Sequence, residues 1–143
     1  MLGAITGDVV GSVYEWNNIK HKDFKPLFSP RSFFTDDSVL TVALMDAIDR
    51  NVDYGKTMHW YYTQHPHAGY GHRFHHWCKY QSDQSYNSWG NGSAMRTSAV
   101  GYAYDTIEDV LEKAKYFASF THDHPEGIKG AQATSACIFM ARK

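Results

Sequence analysis

The sequence of residues 35–50 is TDDSVLTVALMDAIDR. Thr35 suits the N-cap position of a helix, and Asp36 and Asp37 would lie in the first turn, where negative charge interacts favourably with the helix dipole. Apolar side chains then recur along the segment, at Val39, Leu40, Val42, Ala43, Leu44, Ala47 and Ile48. This pattern predicts a helix over residues 35–50 whose apolar body lies in a protein core.

Helical patterns also dominate the rest of the 143-residue chain. No segment shows the sustained alternation of apolar and polar residues that is typical of strands, and residues 17–34 contain two prolines and little periodicity, which indicates a loop. We therefore predict one all-α domain over residues 1–143, a helical bundle. Its other helices are expected at residues 2–16, 55–64, about 74–80, 93–103, 106–120 and from 125 onward, the last still running at Lys143.

The composition limits the classes of partner. The formal net charge is −1, so no overall basic field attracts nucleic acid. Two cysteines are too few for a disulfide framework and fit a reducing compartment. Neither a signal peptide nor an apolar stretch close to the roughly 18 residues of a membrane-spanning helix is visible. We expect a cytoplasmic protein that binds neither nucleic acid nor membranes.

The first predicted helix carries two distinct faces. Gly3, Gly7 and Gly11 recur every four residues, so they form a stripe that another backbone could approach closely. Asp8 and Glu15 share a second face with Gly11 and Ser12. A solvated face is the commoner arrangement, but residues that favour helices would serve it better than glycine and serine. Solvation and access for a ligand are therefore about equally favoured.

The adjacent residues Thr35, Asp36, Asp37 and Ser38 offer several oxygens, which are the ligands that magnesium, manganese and calcium prefer. Ordinary capping of a helix explains the same residues, and taken alone this is the better explanation.

Two later segments could also contact a ligand. In residues 90–96, GNGSAMR, a glycine-flanked turn enters a helix and could present backbone N–H groups to a phosphate. In residues 121–127, THDHPEG, two histidines and a carboxylate could take part in proton transfer or metal binding. A plain turn and a polar loop between helices are the alternatives for the two segments.

The order of these segments along the chain resembles that of the ADP-ribosylglycohydrolase family. Residues 3–15, GAITGDVVGSVYE, resemble the opening helix of the family, and residues 34–38, FTDDS, look like its first metal motif. Residues 90–96 and 122–127 are similar to its next two signatures. The resemblance covers nearly the whole chain and is closest to the bacterial branch that resembles ADP-ribosylarginine hydrolases.

The resemblance implies an all-α fold around a pair of Mg²⁺ or Mn²⁺ ions. By position it implies that Thr35, Asp36, Asp37 and Glu15 are metal ligands, with Glu15, Asp36 and Asp37 at the catalytic centre. Asp8 would line the same cleft. The resemblance further implies that ADP-ribose contacts the residues Asn91, Gly92, Ser93, His122 and His124. The implied reaction is hydrolysis of the N-glycosidic bond that joins ADP-ribose to an arginine side chain of a modified protein.

One departure from the family bears on activity. Members of the family are longer and carry a second metal motif, Asp-x-Asp followed by Thr or Ser, near the C-terminus, which the 143 residues do not contain. We therefore expect one weakly bound ion, or none, and an impaired hydrolase. A non-catalytic module that binds ADP-ribose or a protein, and one subunit of a split hydrolase, are the alternatives. A homo-oligomer or a complementing C-terminal chain would then complete the assembly.

Overall fold

The structure, a computed structural model, describes all of residues 1–143. It contains eight α-helices, one short 3-10 helix at Ser12–Tyr14, and no strand, so the predicted all-α class is confirmed. The α-helices are α1 (Leu2–Gly11), α2 (Asp36–Asp49), α3 (Tyr54–Gln64), α4 (His72–Lys79), α5 (Gly92–Met95), α6 (Ser98–Ala103), α7 (Ile107–Ala118) and α8 (Pro125–Ala141). None of them has the length and apolar composition needed to cross a membrane.

Two helices organise the packing. Helix α2 contacts α1, α3, α5 and α6, and helix α8 contacts α5, α6 and α7. The α2 side chains Leu40 and Leu44 are almost fully buried, as are Met58, Val110 and Ala131 from three other helices. The apolar body predicted for residues 35–50 is thus part of the core, and the polar N-terminus of α2 lies at its edge.

The start of α2 has the predicted cap. The hydroxyl of Thr35 accepts a hydrogen bond from the backbone N–H of Asp37 at 3.3 Å, and Asp36 and Asp37 occupy the first turn. Capping and ligand chemistry do not exclude each other here, because the cap uses the Thr35 hydroxyl and the Asp37 N–H, and only one carboxylate oxygen of Asp37 lies near that hydroxyl, at 3.4 Å.

The first helix is shorter than predicted. It was expected over residues 2–16, but α-helical structure ends at Gly11 and continues only as the 3-10 helix Ser12–Tyr14. The buried hydroxyl of Ser12 donates to the carbonyl of Val9 at 2.9 Å and accepts from the backbone N–H of Phe33 at 3.1 Å. A serine hydroxyl that bonds to backbone groups in this way competes with helix propagation.

The helix predicted over residues 93–103 is two helices, α5 and α6, which are separated at Arg96 and Thr97. The Arg96 side chain is only 2% exposed and donates a hydrogen bond to the hydroxyl of Thr121, which follows α7 in the sequence. Helix α6 then packs closely on α8, since a Cβ placed on Gly101 would lie 2.8 Å from the carbonyl oxygen of Ser135.

The glycine stripe of α1 has no neighbour in this structure. A Cβ placed on Gly3, Gly7 or Gly11 would have no atom within 4 Å, and α1 contains no buried residue. The close approach that the glycine spacing suggested is therefore not made by any other part of residues 1–143.

Candidate active site

A cleft of about 280 Å³ opens where the N-terminus of α2, helix α4 and the start of α5 meet. Three of the predicted segments contribute to it: Asp36 from α2, Asn91 and Gly92 from the glycine-flanked turn, and His122 from the segment before α8. The full lining is Asp36, Leu40, Gly71, His72, Arg73, Phe74, Tyr86, Ser88, Gly90, Asn91, Gly92, Met95, Arg96 and His122.

The carboxylates at the N-terminus of α2 are partly buried and repel one another. Burial, and next the charge of Asp37, raise the pKa of Asp36 to about 7, with smaller contributions from Glu15 and Asp8. Burial and the charge of Asp8 likewise raise the pKa of Asp37. These four carboxylates lie close enough to repel one another, and a bound cation would relieve that repulsion.

Asp8 does not line the cleft, and both of its carboxylate oxygens are already used. One oxygen accepts from the Thr35 hydroxyl at 2.6 Å. The other accepts from the Thr35 N–H at 2.8 Å, the Ser38 N–H at 3.2 Å and the Ser38 hydroxyl at 2.6 Å. Asp8 therefore fastens α1 to the first turn of α2, directly behind Asp36 and Asp37.

The proposed metal ligands differ in burial and in the hydrogen bonds that they already make. Thr35 is buried and donates its hydroxyl hydrogen to Asp8, whereas Glu15 is exposed at the end of the 3-10 helix. No three or more His, Cys, Asp or Glu side chains converge as a ready ligand group. The repelling oxygens of Asp36 and Asp37 nevertheless fit one hard divalent cation that keeps several of its waters. The donor chemistry thus fits a single ion rather than a closed protein cage.

The glycine-flanked turn packs on His122. A Cβ placed on Gly92 would lie 3.0 Å from Cε1 and 3.1 Å from Nε2 of that ring, so only glycine leaves this edge uncovered. Asn91 is exposed at the N-cap of the short helix α5. Ser93, which we expected to face the ligand, is 2% exposed and donates its hydroxyl to the carbonyl of Gly127 at 2.8 Å.

The two histidines of residues 121–127 have different positions. His122 is 4% exposed and lines the cleft, and burial, followed by the charges of Arg96 and Arg73, lowers its pKa to about 3. His124 is the N-cap of α8, where its Nδ1 accepts from the Glu126 N–H at 3.1 Å, and it is not part of the cleft lining.

Several lining residues have no counterpart among the predicted ones. The guanidinium of Arg73 lies 5.0 Å from the ring centre of Tyr86 and donates to the Tyr86 carbonyl. Phe74 also lines the cleft, as does Arg96, the last residue of the predicted segment 90–96. Aromatic residues are concentrated between Trp60 and Trp89 in the sequence, which is compatible with a pocket in this region, but composition alone does not select individual residues.

A second cavity, of about 580 Å³, lies around the N-terminus of α3 and the loop after α4. Its lining includes Trp60, His59 and Trp77 and contains none of the predicted site residues. It is larger than the cleft, but size alone does not make a site, and the convergent polar groups are found at the cleft.

The comparisons with known proteins agree with the ordered segments. The family model described as ADP-ribosylglycohydrolase matches residues 1–143. ADP-ribosylhydrolase ARH3 of Mus musculus is 28% identical over 176 residues, which cover 99% of this chain and 47% of that protein. The corresponding protein of Xenopus tropicalis is 26% identical over 170 residues, which cover 99% of this chain and 49% of that protein. The chain thus spans about half the length of the curated relatives it matches, and it belongs to the ADP-ribosylglycohydrolase family.

Proposed function

We propose that the cleft binds ADP-ribose and that the chain serves in the hydrolysis of a bond between ADP-ribose and a protein side chain. The observation that carries this proposal is the convergence of Asp36, Asn91, Gly92 and His122 on one cleft. These residues come from three segments far apart in the sequence, each of which resembles a signature of the family. A chance arrangement of helix caps and turns would not bring them to one cavity.

The lining of the cleft contains side chains of both charges, which suits the diphosphate and the ribose of ADP-ribose. Arg73 and the turn at Asn91 and Gly92 would hold the diphosphate, because a cation and backbone N–H groups favour anions. Asp36, which lines the cleft, and Asp37, next to it in the first turn of α2, would face the ribose whose glycosidic bond is cleaved. Asp8 would hold α2 in position from behind, and His124 would cap α8 next to the cleft-lining His122.

The family is a metal-dependent hydrolase family, and we propose Mg²⁺ or Mn²⁺ for this chain. Asp36 and Asp37, with Glu15 and the oxygen of Thr35, would hold the ion. Such an ion lowers the pKa of bound water and orients the sugar hydroxyls. The residues of this chain would orient the ribose and hold the diphosphate.

We propose the arginine linkage as the substrate because of the resemblance to the branch of the family that resembles ADP-ribosylarginine hydrolases. The matched relatives are named ADP-ribosylhydrolases, a name that does not specify the amino acid.

The free thiols of Cys78 and Cys137 support a reducing compartment, and we propose the cytoplasm.

Binding without turnover is the second candidate function. It is favoured by the engagement of Thr35 with Asp8 and by the absence of three convergent ligands in residues 1–143. Such a module would bind ADP-ribosylated proteins without releasing ADP-ribose. Alternatively, a complementing chain or a second copy would supply further oxygen ligands for the metal and complete a split hydrolase.

Release of ADP-ribose from ADP-ribosylarginine and from hydroxyl-linked ADP-ribose tests the proposal, with Mn²⁺, with Mg²⁺ and with EDTA. We expect weak release from the arginine substrate that depends on the metal and is lost in Asp36→Asn. A Trp60→Phe variant, altered in the second cavity, is the control that should keep the wild-type rate. Binding of ADP-ribose with no release from either substrate would select the second candidate, and neither binding nor release would contradict both.

A further inference from the structure

Three polar side chains form a buried row at the wall of the cleft, which Arg96 and His122 both line. Arg96 is 2% exposed, Thr121 is fully buried, and His122 is 4% exposed. The Nη2 atom of Arg96 lies 2.6 Å from the Thr121 hydroxyl, and that hydroxyl lies 2.8 Å from Nδ1 of His122. The row therefore connects the permanent charge of Arg96 to the ring of His122 through the Thr121 hydroxyl.

The direction of these hydrogen bonds follows from the available hydrogens. A guanidinium can only donate, so the Thr121 oxygen accepts from Arg96. A hydroxyl has one hydrogen, and Nδ1 of His122 lies 2.8 Å from the Thr121 oxygen, while the Tyr86 side chain also interacts with this hydroxyl. When Nδ1 of His122 accepts that hydrogen, the neutral imidazole carries its proton on Nε2.

The surroundings keep the ring neutral. Burial disfavours a positive charge on the His122 ring, and the charges of Arg96 and Arg73, which lie close to the ring, act in the same direction. The charge of Asp123 opposes them but is the smallest contribution. At neutral pH the ring is therefore an imidazole with one N–H rather than an imidazolium.

The protonated nitrogen lies on the edge of the ring that Gly92 leaves open. A side chain at position 92 would begin 3.1 Å from Nε2 and would cover it, whereas glycine adds no atom there. Gly92 and His122 both line the cleft, so the ring edge beside Gly92 lies at the wall of the cleft.

We propose that Arg96 and Thr121 are positioning residues that hold His122 in its Nε2–H form, so that it donates a hydrogen bond to an oxygen of the bound ligand. The identity of that ligand as ADP-ribose rests on the proposed function. In this form His122 serves as a fixed neutral donor. It does not serve as a base, since its basic nitrogen faces Thr121.

Nitrogen-15 NMR of the imidazole groups tests the ring directly in the protein of 143 residues, without ligand or metal. We expect a protonated Nε2 and an unprotonated Nδ1 for His122 in the wild type. A proton on Nδ1, or a doubly protonated ring at neutral pH, would overturn the proposal.

Variants at Thr121 test the connection to binding. Thr121→Val removes the hydroxyl at nearly constant volume, so the ring should lose its single form, and the Kd for ADP-ribose should rise about five- to tenfold. Thr121→Ser keeps the hydroxyl and should restore both the NMR signature and the Kd. If Thr121→Val does not fold, His122→Gln, which retains a donor close to Nε2, should bind ADP-ribose better than His122→Leu.

Equal binding by the folded Thr121→Val variant and the wild type, or by the two His122 variants, would overturn the role in binding. Failure of the wild type to bind ADP-ribose would contradict the proposed function instead. The NMR measurement on the unliganded protein would in that event still decide which nitrogen carries the proton.

Discussion

Asp8 joins two parts of the chain that are 27 residues apart in sequence, since its carboxylate accepts hydrogen bonds from the N–H and the hydroxyl of Thr35. From the sequence, a solvated face and access for a ligand were about equally favoured for Asp8 and Glu15. The structure separates the two residues: Asp8 fastens α1 to α2, and Glu15 is exposed. Sequence periodicity could place both on one face, but it contains no information on a partner so distant in the chain.

The residue Asp8 should matter for stability more than its position near the surface suggests. Asp8→Asn keeps the size of the side chain but replaces one accepting oxygen with an amide that can only donate. We expect a loss of about 1–3 kcal/mol in the free energy of unfolding, measured by urea denaturation. Glu15→Gln, which removes the charge of an exposed side chain, is the matched control and should change stability by less than about 0.5 kcal/mol. Equal effects would contradict the role of Asp8.

The raised pKa of Asp36 predicts a dependence of stability on pH in the metal-free protein. With a pKa of about 7 in the folded state against 3.8 for the unperturbed group, the folded protein holds a proton that the unfolded chain releases. This residue therefore lowers stability as the pH rises from about 4 to about 7. Asp36→Asn should gain stability relative to the wild type across that range, measured by urea denaturation in EDTA.

His122 acts in the opposite sense. Its lowered pKa means that the unfolded chain binds more protons below about pH 6.5, so stability rises with pH there. Since both proteins contain His122, its contribution cancels in the difference between Asp36→Asn and the wild type. A difference that stays constant with pH would contradict the electrostatic account of Asp36.

At the scale of helices, the local sequence was sufficient to predict a helix start where the capping residue bonds within the first turn. Thr35 and Thr106 begin α2 and α7 as predicted, because each hydroxyl accepts a backbone N–H within its own first turn. The break between α5 and α6 had no such signal. It coincides with the burial of Arg96, whose partner Thr121 is 25 residues away. Boundaries set by tertiary contacts are not encoded in local propensity.

Two helical glycines provide a paired test of the packing. Gly101 of α6 faces α8 with no room for a Cβ, so Gly101→Ala should lower the free energy of unfolding by about 1–3 kcal/mol. Gly7 of α1 faces open space, so Gly7→Ala should raise it by up to about 1 kcal/mol through helix propensity. Thermal or urea unfolding of the two variants decides. Destabilisation by Gly7→Ala would mean that another chain covers the stripe.

At the scale of the molecule, several residues that line the cleft could be predicted from the sequence, but the shape of the cleft could not. Asp36, Asn91, Gly92 and His122 were selected from their residue types and order, and all four line one cavity. Arg73 was not selected, because an isolated arginine in an aromatic segment resembles any other surface cation. Its place beside Tyr86 depends on how α4 packs on the rest of the fold.

We expect the chain to associate, either with itself or with a complementing chain. Helix α1 has no buried residue, and Leu2 and Trp16 are 81% and 86% exposed. Exposed apolar surface of this kind usually marks an interaction site. Light scattering at about tens of micromolar should give a mass above that of one chain, and a stable compact monomer would contradict the expectation.

The central claim is that the cleft beside Asp36 binds ADP-ribose, and calorimetric titration of ADP-ribose into the 143-residue protein with Mn²⁺ tests it most directly. We predict saturable binding at one site per chain. Gly92→Val should weaken it about tenfold or more, because its Cβ would cover the Nε2 edge of His122. Trp60→Phe, in the second cavity, should leave the Kd unchanged. Absence of binding, or weakening by Trp60→Phe but not by Gly92→Val, would contradict the account.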